Sequence, residues 1–290
     1  MNDSSTVLVT GSDGFVGRHL VPSLVARGHR VIAASRSASG AGTNVSAVSI
    51  PDLALPFDWQ PLLERCDAVV HLAGIAHKAA DDDVYDGVNH RASEALAQAA
   101  RRCGVHFVYI SSIAAQSGSF SDYELTEDDP PRPVNAYGRS KLAAEQAIRA
   151  SGCTFTILRP VVIYGDGEKG NLATIRHIAQ LPIPLPFGRL NARRSVLSVE
   201  NLSSAVTTAL TDPCARGETF IVADPTPVTV ADLIARYRAA AGRRPLLFPM
   251  PEKFFQTMLN AVGQTAIWHR IGCPLVAPPR KLLALGWKPA

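Results

Sequence analysis

Short apolar runs alternate with longer segments that carry an apolar residue every three or four positions throughout the first half of the chain. The short runs predict buried strands, and the longer spacing predicts helices that bury one face. Strands that alternate with helices imply right-handed crossovers and a parallel sheet covered on both sides. The pattern therefore predicts an α/β fold with a doubly wound parallel sheet. We expect strands at 7–9, 30–34, 45–50, 68–72, 106–111 and 154–159, and helices at 15–27, 84–103 and 136–150.

The pattern changes after Arg159. Residues 160–194 are rich in Gly and Pro, and the remaining third contains one more clear helix at 201–210 and one more strand at 219–222. We expect this last strand to return to the sheet, and the rest to form a smaller, partly interleaved C-terminal lobe. The expected domains are a larger one of residues 1–165 with the returning segment about 196–223, and a lobe of residues 166–195 and 224–290.

One further helical pattern lies in this lobe, where apolar residues recur at Phe254, Phe255, Met258, Leu259 and Val262. We expect this stripe to pack within the lobe. A contact with a membrane surface or a partner protein is the alternative.

Composition and charge narrow the class of protein. The 290 residues are 47% apolar and 19% charged, which is typical of a globular chain. The net charge is only +4 and basic residues occur in isolated pairs, so we expect no nucleic-acid partner. No apolar stretch is long enough to span a bilayer. Five scattered cysteines and an N-terminus that enters a strand at once predict reduced thiols and a cytoplasmic protein.

A glycine-rich turn, TGSDGFVG at residues 10–17, separates the first strand from the first helix. Glycines let the backbone approach a pyrophosphate, and the helix N-terminus offers N–H groups and the positive end of its dipole. The spacing differs by one residue from the usual dinucleotide fingerprint, and a tight turn that only packs helix on sheet is the alternative. Residues expected to contact the cofactor here are Gly11, Asp13, Gly14, Phe15, Val16 and Gly17.

The second strand ends in Ser35-Arg36-Ser37, where NAD-binding folds usually place an Asp or Glu that holds the ribose hydroxyls. A guanidinium and two hydroxyls suit a 2′-phosphate, and such a contact of roughly 1.5–3 kcal/mol favours NADP by about 10- to 150-fold. NADP(H) is therefore the expected cofactor, and NAD(H) is the alternative. In that alternative Arg36 is only a solvated surface residue. Further expected cofactor contacts are Asp52 and Leu53 after the third strand, and Leu72, Ala73 and Gly74 after the fourth.

Tyr137 and Lys141 stand four residues apart on a predicted helix, and Ser111-Ser112 ends the strand before it. Residues at this spacing share one helix face. An ammonium beside a phenol favours the phenolate, which lets the tyrosine exchange a proton with a carbinol while a nicotinamide moves the hydride. The spacing alone is weak, but joined to the glycine turn and a strand-end serine it predicts an oxidoreductase.

With these residues the chain resembles the extended short-chain dehydrogenase/reductase superfamily, whose core is a Rossmann-type sheet, and within it the NAD-dependent epimerase/dehydratase group that acts on nucleotide sugars. The similarity covers nearly the whole chain. The matching stretches are TGSDGFVG, HLAG, VNHRASEAL, VYISSIA, TEDDPPRPVNAYGRSKLAAEQ, LRPVVIYG, KGNLATI, RRSVLSVENLSSAV and LGWKP.

The resemblance implies a role for each matching residue. Tyr137 would be the acid/base, Lys141 would bind the nicotinamide ribose and lower the pKa of the tyrosine, and Ser112 would hold the substrate oxygen. The other implied contacts are Asn89, Ile110, Ser111 and Pro160 with the cofactor, and Asn171 and Arg194 with the nucleotide diphosphate. Gln116-Ser117 departs from the tyrosine-glycine that the family usually has, in a region expected to face substrate. His71 and His77 are expected to be core or loop residues, with a substrate contact of His77 as the alternative.

Three functions remain open. The first is NADPH-dependent reduction of a UDP-4-keto-6-deoxy-N-acetylhexosamine, which the resemblance of RRSVLSVENL and KGNLATI favours. The second is a UDP-glucose or UDP-N-acetylglucosamine 4-epimerase, and the third is a non-catalytic NADP-sensing protein of the same fold. The resemblance also implies a role in polysaccharide biosynthesis and a homodimer formed through the helices that carry Asn89 and Tyr137.

Overall fold

A seven-stranded sheet forms the centre of the molecule, in a computed structural model that describes residues 4–37, 42–76, 80–168 and 170–290. The strands are β1 (Thr6–Thr10), β2 (Arg30–Ser35), β3 (Val45–Ser49), β4 (Ala68–His71), β5 (His106–Ile110), β6 (Phe155–Pro160), β7 (Val162–Tyr164), β8 (Val196–Ser198) and β9 (Thr219–Val222). The sheet order is β3-β2-β1-β4-β5-β6-β9, and all neighbouring strands are parallel. This confirms the predicted Rossmann-type doubly wound sheet.

Helices connect and cover these strands. They are α1 (Phe15–Ala26), α2 (Gln60–Leu63), α3 (Asp82–Tyr85), α4 (Ala92–Cys103), α5 (Ala136–Ser151), α6 (Asn171–Ala179), α7 (Val199–Thr211), α8 (Val230–Ala240), α9 (Glu252–Ala261), α10 (Thr265–Ile271) and α11 (Arg280–Ala284). A π-helical stretch at Asp86–Arg91 joins α3 to α4, so the single helix expected at 84–103 is a composite of three pieces. In the described part of the chain, no helix combines the length and apolarity that crossing a membrane requires.

The strands bury both of their faces, because side chains alternate along each strand and helices cover each side. In β1, Val7 and Val9 belong to one apolar cluster with Leu20 of α1, whereas Leu8 belongs to the other with Leu96 of α4. A third, smaller cluster joins α6, α8, α9 and α10. Near-continuous apolar strands are the signature of such a two-sided sheet, which is why the sequence pattern located them within two residues.

The C-terminal half is more regular than the sequence suggested. Within the Gly/Pro-rich region β7 begins a second, two-stranded parallel sheet, completed by β8, and strands this short give little sequence signal. The strand expected at 219–222 does return to the main sheet, as β9 beside β6. The expected stripe on α9 is only half correct, because Phe255 and Leu259 pack inward whereas Phe254, Met258 and Val262 are exposed.

A buried ion pair joins β6 to α5. Arg159 donates to both carboxylate oxygens of Glu145, at 2.9 Å and 2.6 Å, and to the side-chain oxygen of Gln116 at 3.0 Å. The Ser111 hydroxyl donates to the same carboxylate at 2.5 Å. The side chains of Arg159 and Glu145 are 5% and 1% exposed, so water cannot replace any of these bonds. The network fixes α5 on the carboxyl ends of β5 and β6.

Breaking this pair from one side is expected to be severe. Arg159→Met leaves the Glu145 carboxylate buried without its counter-charge, and we expect a loss of about 3–5 kcal/mol in the free energy of unfolding. Arg159→Met/Glu145→Met removes both charges and should recover most of that loss. Urea unfolding measures both variants. Arg91→Met, which removes an exposed partner of Asp86, is the control and should change stability by less than about 1 kcal/mol. Equal losses in the single and double variants would contradict the ion-pair account.

Candidate active site

The glycine turn between β1 and α1 has a geometry that only glycine satisfies. Gly11 has φ +73°, and a Cβ there would lie 2.8 Å from the backbone nitrogen of Ala73. A Cβ on Gly17 would lie 2.5 Å from the carbonyl oxygen of Gly11. Helix α1 begins after Gly14 with no acidic residue in its first turn and no side-chain cap among the described residues. Its first N–H groups thus remain available to an anion, and the turn fits a pyrophosphate.

The end of β2 lies beside this turn, because the Gly11 N–H donates to the Ala34 carbonyl at 2.9 Å. The Ser35 hydroxyl is buried and donates to the Ser37 carbonyl at 2.7 Å, which shapes the exit of the strand. Arg36 is 74% exposed and lies 3.8 Å from the Asp52 carboxylate. The Ser37 hydroxyl lies 3.5 Å from the carboxylate of Asp13 in the glycine turn. The structure therefore brings together the segments that the sequence assigned to the cofactor, and it shows that Arg36 pairs with the Asp52 carboxylate.

A pocket of about 340 Å³ opens next to Asp52 and Leu53. Apolar side chains of Leu55, Phe57 and Trp59 form much of its wall. The Asp52 carboxylate accepts the Ala54 N–H at 2.9 Å, which holds the turn after β3 in place. The predicted contact of Asp52 and Leu53 with the adenine half of a dinucleotide stays a prediction, with a pocket at the expected place.

Asn89 clamps the segment after β4 to the catalytic helix. Its side chain is buried, accepts the Ile75 N–H at 2.8 Å and donates to the Ile75 carbonyl at 3.0 Å and to the Ser140 hydroxyl at 3.1 Å. A Cβ on Gly74 would lie 2.8 Å from the Asn89 oxygen and 3.7 Å from the Lys141 nitrogen. The small residues after β4 thus leave a passage bounded by Asn89 and Lys141, where the resemblance places the cofactor.

Helix α5 presents Tyr137 and Lys141 on one face, one turn apart. Asn135 caps the helix by accepting the Gly138 N–H at 2.8 Å. Ser112 accepts the Ala114 N–H at 3.1 Å and lies close enough to Tyr137 to lower the pKa of its phenol. Lys141 is buried and donates to the Ile110 carbonyl at 2.8 Å. The three residues predicted to be catalytic therefore lie together. Ser112 follows the carboxyl end of β5, and Tyr137 and Lys141 belong to the first two turns of α5.

Burial moves the pKa of both ionisable groups towards the neutral form. It raises the pKa of Tyr137; the hydrogen bond from Ser112 opposes this shift, and the nearby phenol of Tyr85 adds to it. Burial also lowers the pKa of Lys141 to about 8, although Glu145 opposes that shift. The sequence led us to expect that Lys141 lowers the pKa of Tyr137, but the structure gives the opposite direction. The physical reason is that burial disfavours the charged phenolate. The Lys141 ammonium donates instead to the Ile110 carbonyl.

His71, at the end of β4, is a core residue, as expected. The Ser93 hydroxyl donates to the Asn89 carbonyl at 2.7 Å, so it can only accept from Nε2 of His71, at 3.1 Å. Nδ1 must then accept from the Thr10 hydroxyl, at 2.7 Å. Burial lowers the pKa of His71 to about 3, which keeps this tautomer neutral. His77 lies outside the described residues.

The groups expected at the substrate show a mixed picture. Arg194 donates through Nη1 to the carbonyls of His269 and Cys273, at 3.3 Å and 2.6 Å, and through Nη2 to that of Ser119 at 2.9 Å. The three bonds use three of the five N–H groups of the guanidinium. The Nε–H and the second Nη2–H remain to donate to a phosphate. Asn171 begins α6, but the position of its side chain is not described.

One residue near the site departs from what the sequence suggested. Gln116 was expected to face substrate, but it is 2% exposed and accepts from Arg159. Ser111 donates its hydroxyl to Glu145 and so supports the catalytic helix. Pro160 is buried at the end of β6, beside Val222. Contacts of Ser111, Ile110 and Pro160 with a cofactor stay predictions.

The sequence profile of the NAD dependent epimerase/dehydratase family matches residues 7–223. The chain belongs to this family. A UDP-glucose 4-epimerase from Vibrio cholerae is 29% identical over 98% of this chain and 90% of that protein. A dTDP-4-dehydrorhamnose reductase from Burkholderia thailandensis is 30% identical over 84% of both chains, and a ceramide reductase from Caulobacter vibrioides is 31% identical over 68% of this chain and 58% of that protein.

Solved structures show the same fold. MoeE5, in complex with UDP-glucose and NAD, superposes with a TM-score of 0.77 at 24% identity and covers 98% of this chain and 93% of its own. The UDP-glucuronic acid 4-epimerase from Bacillus cereus, in complex with NAD, has a TM-score of 0.76 at 20% identity, over 98% of this chain and 94% of its own. The protein is thus an enzyme of a family that contains both epimerases and reductases.

Sequence reasoning missed one aromatic residue of the site. Tyr85, at the end of α3, is buried with its ring 6.1 Å from that of Tyr137. The spacing of apolar residues could not predict the position of Tyr85, because the π-helical turn that follows it shifts which residues share a helix face. Tyr85 thus contributes to the wall beside the reactive phenol and helps to raise its pKa.

A buried lysine that serves chemistry should reduce stability. Because the pKa of Lys141 falls from 10.5 to about 8 on folding, the unfolded chain binds more protons between those pH values, and stability rises with pH there. Below about pH 8 Lys141 is charged in both states, so the full cost of burying its ammonium reduces the free energy of unfolding. We therefore expect Lys141→Met to raise the free energy of unfolding at pH 7 by about 1–2 kcal/mol, after allowance for the lost bond to Ile110.

Urea unfolding at pH 7 and pH 10 measures this effect, and turnover should be lost in the same variant. Lys288→Met, at an exposed lysine, is the matched control and should leave stability unchanged. A destabilised Lys141→Met protein at pH 7 would contradict the prediction.

Proposed function

We propose that this enzyme is an NADPH-dependent reductase of a nucleotide-linked 4-keto sugar, with UDP-4-keto-6-deoxy-N-acetylhexosamine as the substrate class. The observation that carries the proposal is Arg36, exposed at the end of β2 and beside the glycine turn. An enzyme that uses NADPH is suited to net reduction, because the hydride stays on the sugar and the oxidised cofactor leaves. In an epimerase, by contrast, the cofactor must return the hydride to the same sugar. The relatives include both a 4-epimerase and a 4-dehydrosugar reductase, so the family allows this assignment.

The balance of energies at Arg36 supports NADP. An exposed ion pair such as Arg36–Asp52 contributes about 0–1 kcal/mol, whereas a charge-assisted phosphate contact contributes roughly 1.5–3 kcal/mol. Arg36 therefore gains by leaving Asp52 for a 2′-phosphate. The Asp52 carboxylate reduces the gain, so we expect a preference of about tenfold, at the lower end of what an isolated arginine provides.

The protonation state of Tyr137 also suits reduction. NADPH, when bound, would supply the hydride to the sugar carbonyl. Tyr137 would then donate its proton to the developing alkoxide, so the neutral phenol is the form that a reductase needs at the start. Burial keeps Tyr137 in that form, since it raises the pKa. Ser112, close to the phenol, would hold the same oxygen of the substrate.

The second candidate is a UDP-hexose 4-epimerase, acting on UDP-glucose or UDP-N-acetylglucosamine. The Vibrio cholerae relative favours it, because its similarity extends over 98% of this chain. An epimerase removes a proton from a hydroxyl and later returns it, so it needs the same tyrosine in both protonation states. A non-catalytic NADP sensor is the third candidate, but it has no use for Ser112, Tyr137 and Lys141 together. The homodimer through α4 and α5 stays part of the proposal.

The cofactor prediction is that NADPH binds about tenfold more tightly than NADH, and that Arg36→Ala removes most of this difference. Fluorescence titration of the reduced cofactors measures both affinities. Arg30→Ala is the matched control, because Arg30 is exposed at the opposite end of the same strand. It should keep the preference. Equal affinities in the unaltered protein would refute the 2′-phosphate assignment.

The reaction prediction concerns a panel of UDP-sugars and UDP-4-keto sugars. We expect stoichiometric NADPH oxidation with a 4-keto sugar, and no interconversion of C4 epimers without it. Tyr137→Phe should bind NADPH normally but lose turnover by about 10²-fold or more. Tyr123→Phe changes an exposed phenol and serves as the control. Epimerisation without net cofactor consumption would identify the epimerase instead.

A further inference from the structure

A helical hairpin projects from the C-terminal lobe. It consists of α9 and α10, and only Phe255 and Trp268 are buried within it. Phe255 anchors the hairpin by stacking on Phe187, with ring centroids 5.5 Å apart. We call residues 252–271 the hairpin.

The outer side of the hairpin is apolar. Phe254, Met258 and Val262 are 57%, 45% and 63% exposed, and their four-residue spacing places them along one helical face. Val262 lies at the tip, next to Gly263, and Ile267 of α10 is also exposed. Side chains of this size on a water-facing surface lose hydrophobic free energy that burial would recover. The hairpin is therefore an unpartnered apolar surface.

A second group of exposed apolar side chains lies in loops of the same lobe that precede the hairpin in sequence. Arg238 is buried, and its Nη atoms bond the carbonyls of Leu181, Ile183 and Leu246 at 3.0 Å, 2.7 Å and 3.3 Å. The side chains of those three residues are exposed. One guanidinium thus gathers three apolar side chains at one place. Eight of the fifteen large apolar side chains that are exposed in the described part of the chain lie between residues 181 and 271.

Positive charge accompanies these apolar side chains. Residues 241–271 contain four Lys/Arg and one Asp/Glu, a net charge of +3, although all 290 residues together have only +4. No Asp or Glu follows Glu252 in the sequence. Lys253 and Arg270 are exposed basic residues of the hairpin, and Arg243 and Arg244 are exposed in the segment that precedes it in sequence. Their charge would repel a second copy of the same surface, and it complements an anionic one.

We propose that the hairpin docks this protein reversibly on an anionic lipid bilayer. Phe254, Met258 and Val262 enter the boundary between headgroups and acyl chains, while Lys253 and Arg244 meet the lipid phosphates. The shallow insertion of a short amphipathic helix combined with a few basic residues gives peripheral binding that salt weakens. The proposal does not depend on the reaction catalysed, because no residue of the reductase site takes part.

Co-sedimentation of the full chain with phosphatidylcholine vesicles, with and without phosphatidylglycerol, tests the docking. We expect binding only to the anionic vesicles, and a loss of affinity of about tenfold or more in Phe254→Ser/Met258→Ser. Lys253→Gln/Arg244→Gln should lose about tenfold. Leu55→Ser, at an equally exposed leucine far along the chain, is the matched control and should bind normally. Absence of binding to the anionic vesicles, or binding that both double variants retain, overturns the proposal.

A tryptophan at the tip locates the inserted segment. Val262→Trp should be quenched by lipids brominated on their acyl chains once the protein is bound, because the tip lies below the headgroups. Bound protein without quenching overturns the insertion. Sedimentation equilibrium addresses the alternative occupant: a dimer that Phe254→Ser/Met258→Ser dissociates would assign the surface to a second copy of this chain. Circular dichroism of each variant verifies that the fold is retained.

Discussion

The ion pair between Arg159 and Glu145 determines where the reactive side chains stand. Glu145 follows Lys141 by one helical turn and Tyr137 by two, so the three residues form one stripe on α5. Glu145, at the end of this stripe, bonds Arg159 of β6 and Ser111 at the end of β5. Because each partner is buried, neither can be solvated if the other moves, and the helix has one favourable position. Fixed geometry at Tyr137 is thus a consequence of electrostatics two turns away.

The same burial sets the chemistry. A carboxylate at Glu145 stabilises the ammonium of Lys141 but does not cancel the cost of removing it from water, so the pKa of Lys141 still falls to about 8. Tyr137 is affected in the opposite sense and remains a phenol. Burial therefore favours the neutral form of each group, and at the buried Lys141 this costs folding free energy. Ionisable groups with shifted pKa values cluster at functional sites, so these two mark the candidate site.

Sequence reasoning succeeded where one local rule decides. The glycine turn, the two-sided strands and the Tyr137–Lys141 face follow from backbone freedom and side-chain periodicity. It failed where partners are distant: Arg159 and Gln116 are 43 residues apart, and nothing local pairs them. For α9 the period indicated an apolar stripe, but a period cannot tell that Phe255 turns inward and Phe254 outward, because adjacent residues differ by only about 100° around a helix.

Arg194 links the hairpin to the expected substrate site. Two of its bonds reach the carbonyls of His269 and Cys273, at the end of α10 and just beyond it, and a third reaches Ser119 after the catalytic serine. Any displacement of α10 therefore changes the bonds that orient the remaining Nε–Nη2 edge. An arginine that recognises a diphosphate needs this edge fixed, since bidentate geometry tolerates little rotation. The hairpin is thus connected through Arg194 to the loop that follows Ser112.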